Sequence, residues 1–287
     1  MKLYPESWSA FLLFLVVLYA GVILLAYFNQ SSMLYIPGRN SRDHARFMGW
    51  KCWPDAENFH GFVAENPARD LRGTILVWHG NAGSALDRSY YMNAFQDRGW
   101  RVILMEYPGY GDRPGKPGEK AFLADADAAV RSALDQFDGP VILLGESLGC
   151  GIASAMARRY GAGNTPDTGH RIRGLILITP WATLPDLAQS LYPFLPARWL
   201  TRDRYDNISN AGAYPGPVAI IMAGQDTVIP NTHSRRLYDA LPEPKKLWFF
   251  PSHGHNDWPS VSSETWWDEV LDFFSEVSAE NTLKSIK

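Results

Sequence analysis

The sequence predicts an α/β protein with a mostly parallel, doubly wound sheet, a small cap inserted late in the chain and a transmembrane helix in front. Three patterns indicate this. Short apolar runs alternate with helical segments of roughly 10 to 18 residues, which is typical of parallel strands joined by crossover helices. A longer irregular stretch at 181–217 interrupts the alternation, and residues 8–28 carry no charged side chain.

The uncharged run at 8–28 is the first element of the chain. As a helix it would span roughly 31 Å, enough to cross the hydrocarbon core of a bilayer. Trp8 and Tyr27 suit the two membrane interfaces. We therefore predict a short tail at 1–7, a membrane anchor at 8–28 and a connector at 29–45.

A cleaved signal peptide and a buried core helix are the alternatives for this run. The run is long for a signal peptide, and no clean Ala-x-Ala site follows it. We expect a single-pass protein of a bacterial inner membrane. The positive charges around the span leave its orientation open.

The globular domain is predicted at 46–287 and begins with short antiparallel edge strands between about 46 and 68. Strands follow at 74–78, 101–105, 141–144, 175–178, 218–222 and 246–250, with helices at 86–98, 119–137, 231–241 and 264–277. Residues 181–217 are longer than a compact sheet needs and rich in Trp, Tyr, Phe and Leu, which favours a cap over the strand ends. The alternative is a surface excursion with no role in binding.

Composition narrows the classes of partner. The chain has 287 residues with a net charge of −3, so nothing indicates a nucleic-acid partner. Its two cysteines, Cys52 and Cys150, give neither a disulfide framework nor a metal site. The cysteine content does not indicate whether the protein lies in an oxidising or a reducing compartment.

The sharpest motif is Gly-x-Ser-x-Gly at 145–149, between an apolar strand and a run of small residues. Gly145 and Gly149 remove Cβ atoms that a tight strand-to-helix turn could not accommodate, so Ser147 Oγ would be raised at the edge of the sheet. The Leu148 N–H, at the start of the helix, would point at a developing oxyanion. A Gly-rich turn that merely packs tightly is the alternative.

A serine nucleophile needs a base and an orienting acid, and these should follow other strands of the sheet. Asp226 follows the strand at 218–222, and His253 and His255 follow the strand at 246–250. The order Ser, Asp, His is the expected one. From the residues alone the two histidines remain alternatives, and Asp203 and Asp206 are weaker candidates for the acid. The cluster at 253–257 could also bind a metal, but no further ligand accompanies it.

A second oxyanion donor is expected in the loop at 79–83, where two glycines let backbone amides approach a ligand. Asn81 N–H is the best-placed candidate to pair with Leu148 N–H. We interpret residues 107–111 as loop architecture. The remaining histidines are interpreted as surface or structural residues: His44, His60, His170 and His233.

Five motifs together resemble the α/β-hydrolase superfamily. They are His-Gly-Asn-Ala-Gly at 79–83, Tyr-Pro-Gly-Tyr-Gly at 107–111, Gly-Glu-Ser-Leu-Gly at 145–149, Gly-Gln-Asp-Thr-Val-Ile-Pro at 224–230 and Gly-His-Asn-Asp at 254–257. Within the superfamily, the chain looks like the membrane-anchored Bem46-type serine hydrolases, related to the serine aminopeptidase-like group. The resemblance covers roughly residues 34–287.

The resemblance implies Ser147 as nucleophile, Asp226 as acid and His255 as base, with the amides of Asn81 and Leu148 as the oxyanion hole. One departure is that Asp112-Arg113-Pro114 follows the Gly-Tyr-Gly, where such proteins usually carry a serine. That departure leaves substrate preference undetermined.

The predicted activity is hydrolysis of a small or lipid-like acyl ester or thioester, without a cofactor or metal. A peptidase acting on a free amino terminus is the alternative within the enzyme class. A membrane-tethered binding protein that has lost catalysis is the alternative outside it.

Overall fold

The computed structural model describes residues 5–67, 70–161, 171–257 and 263–285. Within these residues ten strands are present: β1 Ile36–Pro37, β2 Trp50–Trp53, β3 Gly61–Ala64, β4 Gly73–Trp78, β5 Ala82–Gly83, β6 Trp100–Met105, β7 Val141–Glu146, β8 Ile172–Ile178, β9 Val218–Ala223 and β10 Lys245–Phe250. The α-helices are α1 Pro5–Leu34, α2 Arg42–Phe47, α3 Tyr90–Gln96, α4 Glu119–Gln136, α5 Leu148–Gly161, α6 Leu184–Leu191, α7 Ala197–Leu200, α8 Asn207–Gly212, α9 Asn231–Ala240 and α10 Trp266–Ser285.

The main sheet has eight strands in the order β10-β9-β8-β7-β4-β6-β3-β2. The strands from β10 to β6 pair in parallel, and β3 and β2 add an antiparallel edge. This is the predicted doubly wound sheet, with the edge strands where they were expected.

Helices cover both faces of the sheet, which is why its central strands are apolar throughout. Alternate residues of β4 and β7 enter opposite cores: Leu76 and Leu143 pack on one face with α4 and α5, and Ile75 and Ile142 pack on the other with α3 and α10. The alanine-rich face of α4 allows that helix to lie close to α5 and the sheet.

The predicted helix at 86–98 is divided in the structure. A 3₁₀ helix covers Ala85–Arg88, and α3 begins only at Tyr90. A capping box explains the first part, because the Asp87 carboxylate accepts a hydrogen bond from Ser84 N at 2.8 Å. The turn between the two helices brings Arg88 and Tyr90 to the carboxylate of Glu146.

Helix α1 is longer than the predicted anchor and continues to Leu34, so the first part of the predicted connector is helical. Its end is held by the Asn81 side chain, which donates to the Leu34 carbonyl at 2.9 Å. The short strand β1 then pairs in parallel with β5, and α2 crosses the predicted domain boundary between 45 and 46. The most apolar part of α1 is not buried in the protein, which excludes the core-helix alternative.

Residues 181–217, named here the cap segment, connect β8 to β9 and contain α6, α7 and α8. Side chains define two of its helix starts: Thr183 Oγ1 accepts from Asp186 N at 3.2 Å, and an Asp206 carboxylate oxygen accepts from Ser209 N at 2.9 Å. Helix α8 packs on α5, the helix that follows the serine motif. Leu184, Leu187 and Leu191 of α6 line a cavity together with Ser147, so the cap segment lies over the carboxyl ends of the strands.

Candidate active site

Ser147 occupies a strained turn between β7 and α5. Its φ is +50°, a left-handed conformation that is costly for a residue with a side chain. A Cβ on Gly145 would collide with the Gly149 backbone, and one on Gly149 would collide with the Trp78 carbonyl. The turn is tied to the sheet by Ser147 N, which donates to Ile178 O at 2.9 Å. The two glycines therefore leave the space that the tight turn needs, as the motif predicted.

Three distant strand ends bring Ser147, His255 and Asp226 into one hydrogen-bonded row. His255 Nε2 lies 3.0 Å from Ser147 Oγ, and His255 Nδ1 lies 2.7 Å from Asp226 Oδ2. The His255 and Asp226 side chains are 9% and 2% exposed. Asp226 Oδ1 accepts from the N–H groups of Val228 and Ile229 at 2.9 and 2.7 Å, which orients the carboxylate toward the imidazole.

The other candidates for base and acid lie elsewhere. The His253 ring contacts the Phe250 ring edge to face, and the His253 carbonyl accepts from Gln225 N. Asp203 accepts a hydrogen bond from Tyr35 Oη at 2.6 Å, and Asp206 caps α8. Among the described residues, no group of three or more His, Cys, Asp or Glu side chains is arranged to hold a metal ion.

Asn81 and Leu148 line the same cavity as Ser147, where the predicted oxyanion donors are needed. Leu148 is the first residue of α5, so its N–H has no partner within the helix. The Asn81 carbonyl accepts from Tyr110 Oη at 2.7 Å and from Ile36 N at 3.0 Å. These two bonds hold the Asn81 carbonyl and so restrain the loop that carries the Asn81 N–H.

The loop at 107–111 has the architectural role that we predicted. Tyr110 supports Asn81, and Tyr107 Oη donates to the His79 carbonyl at 2.6 Å. The buried His79 ring also contacts a carboxylate, with Nε2 at 3.2 Å from Glu106 Oε1. The 79–83 loop is thus held from two sides.

The residues that depart from the family pattern are structural. Asp112 pairs with Arg42 at 3.1 Å, and Arg113 pairs with Asp125, which also contacts His60 at 2.7 Å. His233, interpreted above as structural, is buried and lies 2.9 Å from Ser190 Oγ. His44 lies in the short helix α2, and His170 lies outside the described residues.

Glu146, directly before the serine, anchors the turn in a way that the sequence did not reveal. Its carboxylate accepts hydrogen bonds from Arg88 Nε at 2.8 Å, Tyr90 Oη at 2.7 Å and Tyr91 Oη at 2.8 Å. Burial by itself would raise the pKa of Glu146, but the Arg88 charge and these hydrogen bonds hold the pKa below its usual range. No sequence pattern links position 146 to positions 88–91, so this cluster required the tertiary structure.

The neighbouring thiol does not compete with the serine. Cys150 is buried in α5, and burial raises the pKa of its thiol well above the usual value. It therefore remains protonated near neutral pH, and it is a poor nucleophile.

A cavity of about 220 Å³ opens at Ser147. Its lining is mostly apolar and comes from two regions besides the strand ends: the cap segment and the last turns of α1. From α1 the lining residues are Ala26, Tyr27, Gln30, Met33 and Leu34. The sequence predicted the cap but not the α1 wall, because a helix that is apolar on every side shows no contrast between its faces.

Several known proteins are similar in sequence to this chain over most of its length. A family model for the α/β hydrolase fold matches residues 73–214. The Mycobacterium tuberculosis protein Rv2307c is 30% identical over 280 residues, covering 90% of this chain and 92% of that protein. The lysophosphatidylserine lipase ABHD12 of Danio rerio is 29% identical and covers 68% of this chain, but the match spans 54% of that protein.

Solved structures agree on the fold. The Pyrococcus furiosus esterase Pf2001 superposes with a TM-score of 0.62 at 15% identity, covering 85% of this chain and 98% of the esterase. The sheet order, the strained serine turn and these matches together establish that the chain belongs to the α/β-hydrolase family.

Proposed function

We propose that the protein is a membrane-tethered serine hydrolase that cleaves an acyl ester or thioester. The observation that carries the proposal is the single imidazole of His255, which contacts Ser147 Oγ at 3.0 Å and Asp226 Oδ2 at 2.7 Å. A nucleophile, a base and an orienting acid in this order are the minimum that acyl transfer by a serine requires.

In the proposed mechanism Ser147 Oγ attacks the acyl carbonyl while His255 Nε2 takes its proton. Asp226 holds the imidazole and stabilises its positive charge, and the N–H groups of Asn81 and Leu148 stabilise the tetrahedral oxyanion. The carbon–oxygen or carbon–sulfur bond then breaks, and His255 returns the proton to the leaving alcohol or thiol. Water, deprotonated by His255, releases the acid and restores Ser147.

The cavity favours an apolar acyl group over the amino terminus of a peptide. Of the described residues that line it, Asp203 carries the one carboxylate, and that carboxylate is engaged by Tyr35 Oη and by Glu119 N. Among the described lining residues, a free ammonium group would therefore find no carboxylate that is without a partner. The relationship to a lysophosphatidylserine lipase also supports an acyl ester.

A retained membrane tether is supported by the way α1 is used. A cleaved signal peptide would be lost from the mature protein, whereas the last turns of α1 line the cavity and bond to Asn81. Cleavage would remove part of the wall of the site. We therefore propose that α1 stays attached as a single membrane span.

The test is the substitution Ser147→Ala in the full-length protein. We expect loss of labelling by a fluorophosphonate probe and a fall of at least about 10³-fold in the hydrolysis of p-nitrophenyl butyrate. Ser275→Ala is the matched control, because the Ser275 hydroxyl only bonds back to Leu271 O in α10. Labelling and turnover at the wild-type level in Ser147→Ala would eliminate the mechanism.

A further inference from the structure

One face of α1 is attached to the folded domain. The partly buried side chains of this helix are Ile23, Ala26, Tyr27, Gln30 and Leu34, a spacing that places them on one side of a helix. Gln30 Nε2 donates to Leu200 O at 2.9 Å, and Gln30 Oε1 accepts from Arg202 N at 2.9 Å. The contact with the cap segment is therefore specific.

The contact extends far into the apolar part of the helix. Tyr19 Oη donates to the Phe194 carbonyl of the cap segment at 2.8 Å. Both polar groups are satisfied by this bond, as an environment without water requires. The part of the helix before this contact, from Trp8 to Leu18, is roughly 16 Å long. That length is about half of the thickness of a hydrocarbon core.

Aromatic and charged groups mark where the membrane would end. Trp8 and Tyr27 are separated by about 29 Å along the helix, close to the ~30 Å of the hydrocarbon core. The Arg202 guanidinium lies 5.4 Å from the centre of the Tyr27 ring and donates to Ser31 Oγ at 3.3 Å, at the polar side of this boundary. Tyr19 then lies about 12 Å inside the hydrocarbon, and so does the Phe194 carbonyl that it contacts.

From the depth of Phe194 to the boundary at Tyr27, the cap segment presents an apolar, exposed surface. Leu191, Tyr192, Phe194 and Trp199, named here the cap tip, are 44%, 36%, 65% and 80% exposed. The charge nearest to them in the chain, Arg198, is paired with Asp186 at 2.8 Å. Large side chains exposed together in this way indicate an interaction surface, and here they adjoin a helix that crosses the bilayer.

We propose that the cap tip is immersed in the same leaflet as the second half of α1. The cavity between α1 and the cap segment then receives the acyl chain of a membrane lipid directly from that leaflet. The carboxyl-terminal turns of α1 that line the cavity lie near the lipid headgroups, where the ester bonds of lipids are found, and Ser147 faces the same cavity. This inference rests on the proposed function and assigns its substrate as an acyl lipid that never has to leave the membrane.

The first experiment measures the depth of the cap tip. Full-length protein with Cys52→Ser is reconstituted in phosphatidylcholine vesicles, and a fluorophore is attached at Phe194→Cys or, as control, at Phe47→Cys. Phe47 is 90% exposed and lies in α2 beside the edge strand β2. We expect lipids with a quencher on the acyl chain to quench the probe at 194 and not the probe at 47. Equal, weak quenching at both positions would overturn the proposed immersion.

The second experiment separates access to the membrane from catalysis. Phe194 and Trp199 do not line the cavity, so Phe194→Ser with Trp199→Ser should leave fluorophosphonate labelling and p-nitrophenyl acetate hydrolysis unchanged. Hydrolysis of monoacylglycerol in phosphatidylcholine vesicles should fall about 10-fold, whereas Phe47→Ser should not change it. An unchanged rate with the lipid would contradict entry from the leaflet.

The third experiment tests the α1 wall. Ala26→Trp should shift the ratio of kcat/KM values from long-chain toward short-chain monoacylglycerols, because the new ring fills part of the cavity. An unchanged ratio would contradict α1 as a wall of the acyl site. Labelling of Ser147 in the same samples reports on the proposed hydrolase activity independently, so failure of one proposal is distinguishable from failure of the other.

Discussion

The two sides of the cavity are built by different physical means. Its floor, the strand-end residues that hold Ser147, His255 and Asp226, consists of buried polar groups with defined partners and strained backbone. Its roof, α1 together with the cap segment, consists mainly of apolar side chains, several of them exposed. A rigid floor fixes the geometry that chemistry needs, whereas an apolar roof decides which molecules reach it.

If this comparison is correct, similar substitutions should have unequal effects on the two sides. The sharpest tests compare a floor residue with a roof residue of the same type.

The largest difference is expected between two aspartates. Asp226→Asn should lower kcat about 10⁴-fold, because an amide neither stabilises the imidazolium nor enforces the correct tautomer of His255. Asp206→Asn in the roof should leave kcat unchanged, since asparagine caps a helix as well as aspartate does. Steady-state kinetics with p-nitrophenyl butyrate checks both. Comparable losses in the two variants would show that the floor has no special role.

The second difference is expected between two arginines that pair with carboxylates. Arg88→Ala should lower the free energy of unfolding by about 3 kcal/mol, because it leaves the buried Glu146 without its cation. Arg198→Ala should cost less than about 1 kcal/mol, since the Arg198 side chain is 55% exposed and its pair with Asp186 is screened by water. Urea unfolding of both variants at pH 7 measures the contrast.

The Arg88 effect should depend on pH with a defined sign. The folded-state pKa of Glu146 is lowered, so its stabilising contribution is present above the unfolded pKa of roughly 4.3 and is lost as pH falls through the folded pKa. The difference in unfolding free energy between wild type and Arg88→Ala should therefore shrink as the pH is lowered toward and below about 4. A difference independent of pH would exclude the Glu146 charge as its cause.

The smallest difference is expected between two glycines. Gly149→Ala should destabilise the protein by about 1–3 kcal/mol, because the added Cβ meets the Trp78 carbonyl and the turn must shift. A Cβ on Gly212, at the end of α8 in the roof, has no atom within 4 Å, so Gly212→Ala should be close to neutral. Thermal unfolding monitored by circular dichroism separates them. A neutral Gly149→Ala would mean that the turn is less crowded than described.

Local patterns in the sequence were enough to predict the order of strands and helices, the glycine-flanked serine turn and the set of side chains able to do chemistry. These features depend on local rules: hydrophobic periodicity, the missing Cβ of glycine, and the tendency of functional groups to follow parallel strands. The resemblance to a known family added the choice of His255 over His253, which the residues alone left open.

Which distant groups meet could not be predicted from local patterns. The Arg88–Glu146 pair and the use of α1 as a cavity wall both arise from contacts between segments far apart in the chain. Local patterns cannot report such contacts, because the free energy that stabilises them is gained only when both segments are already in place.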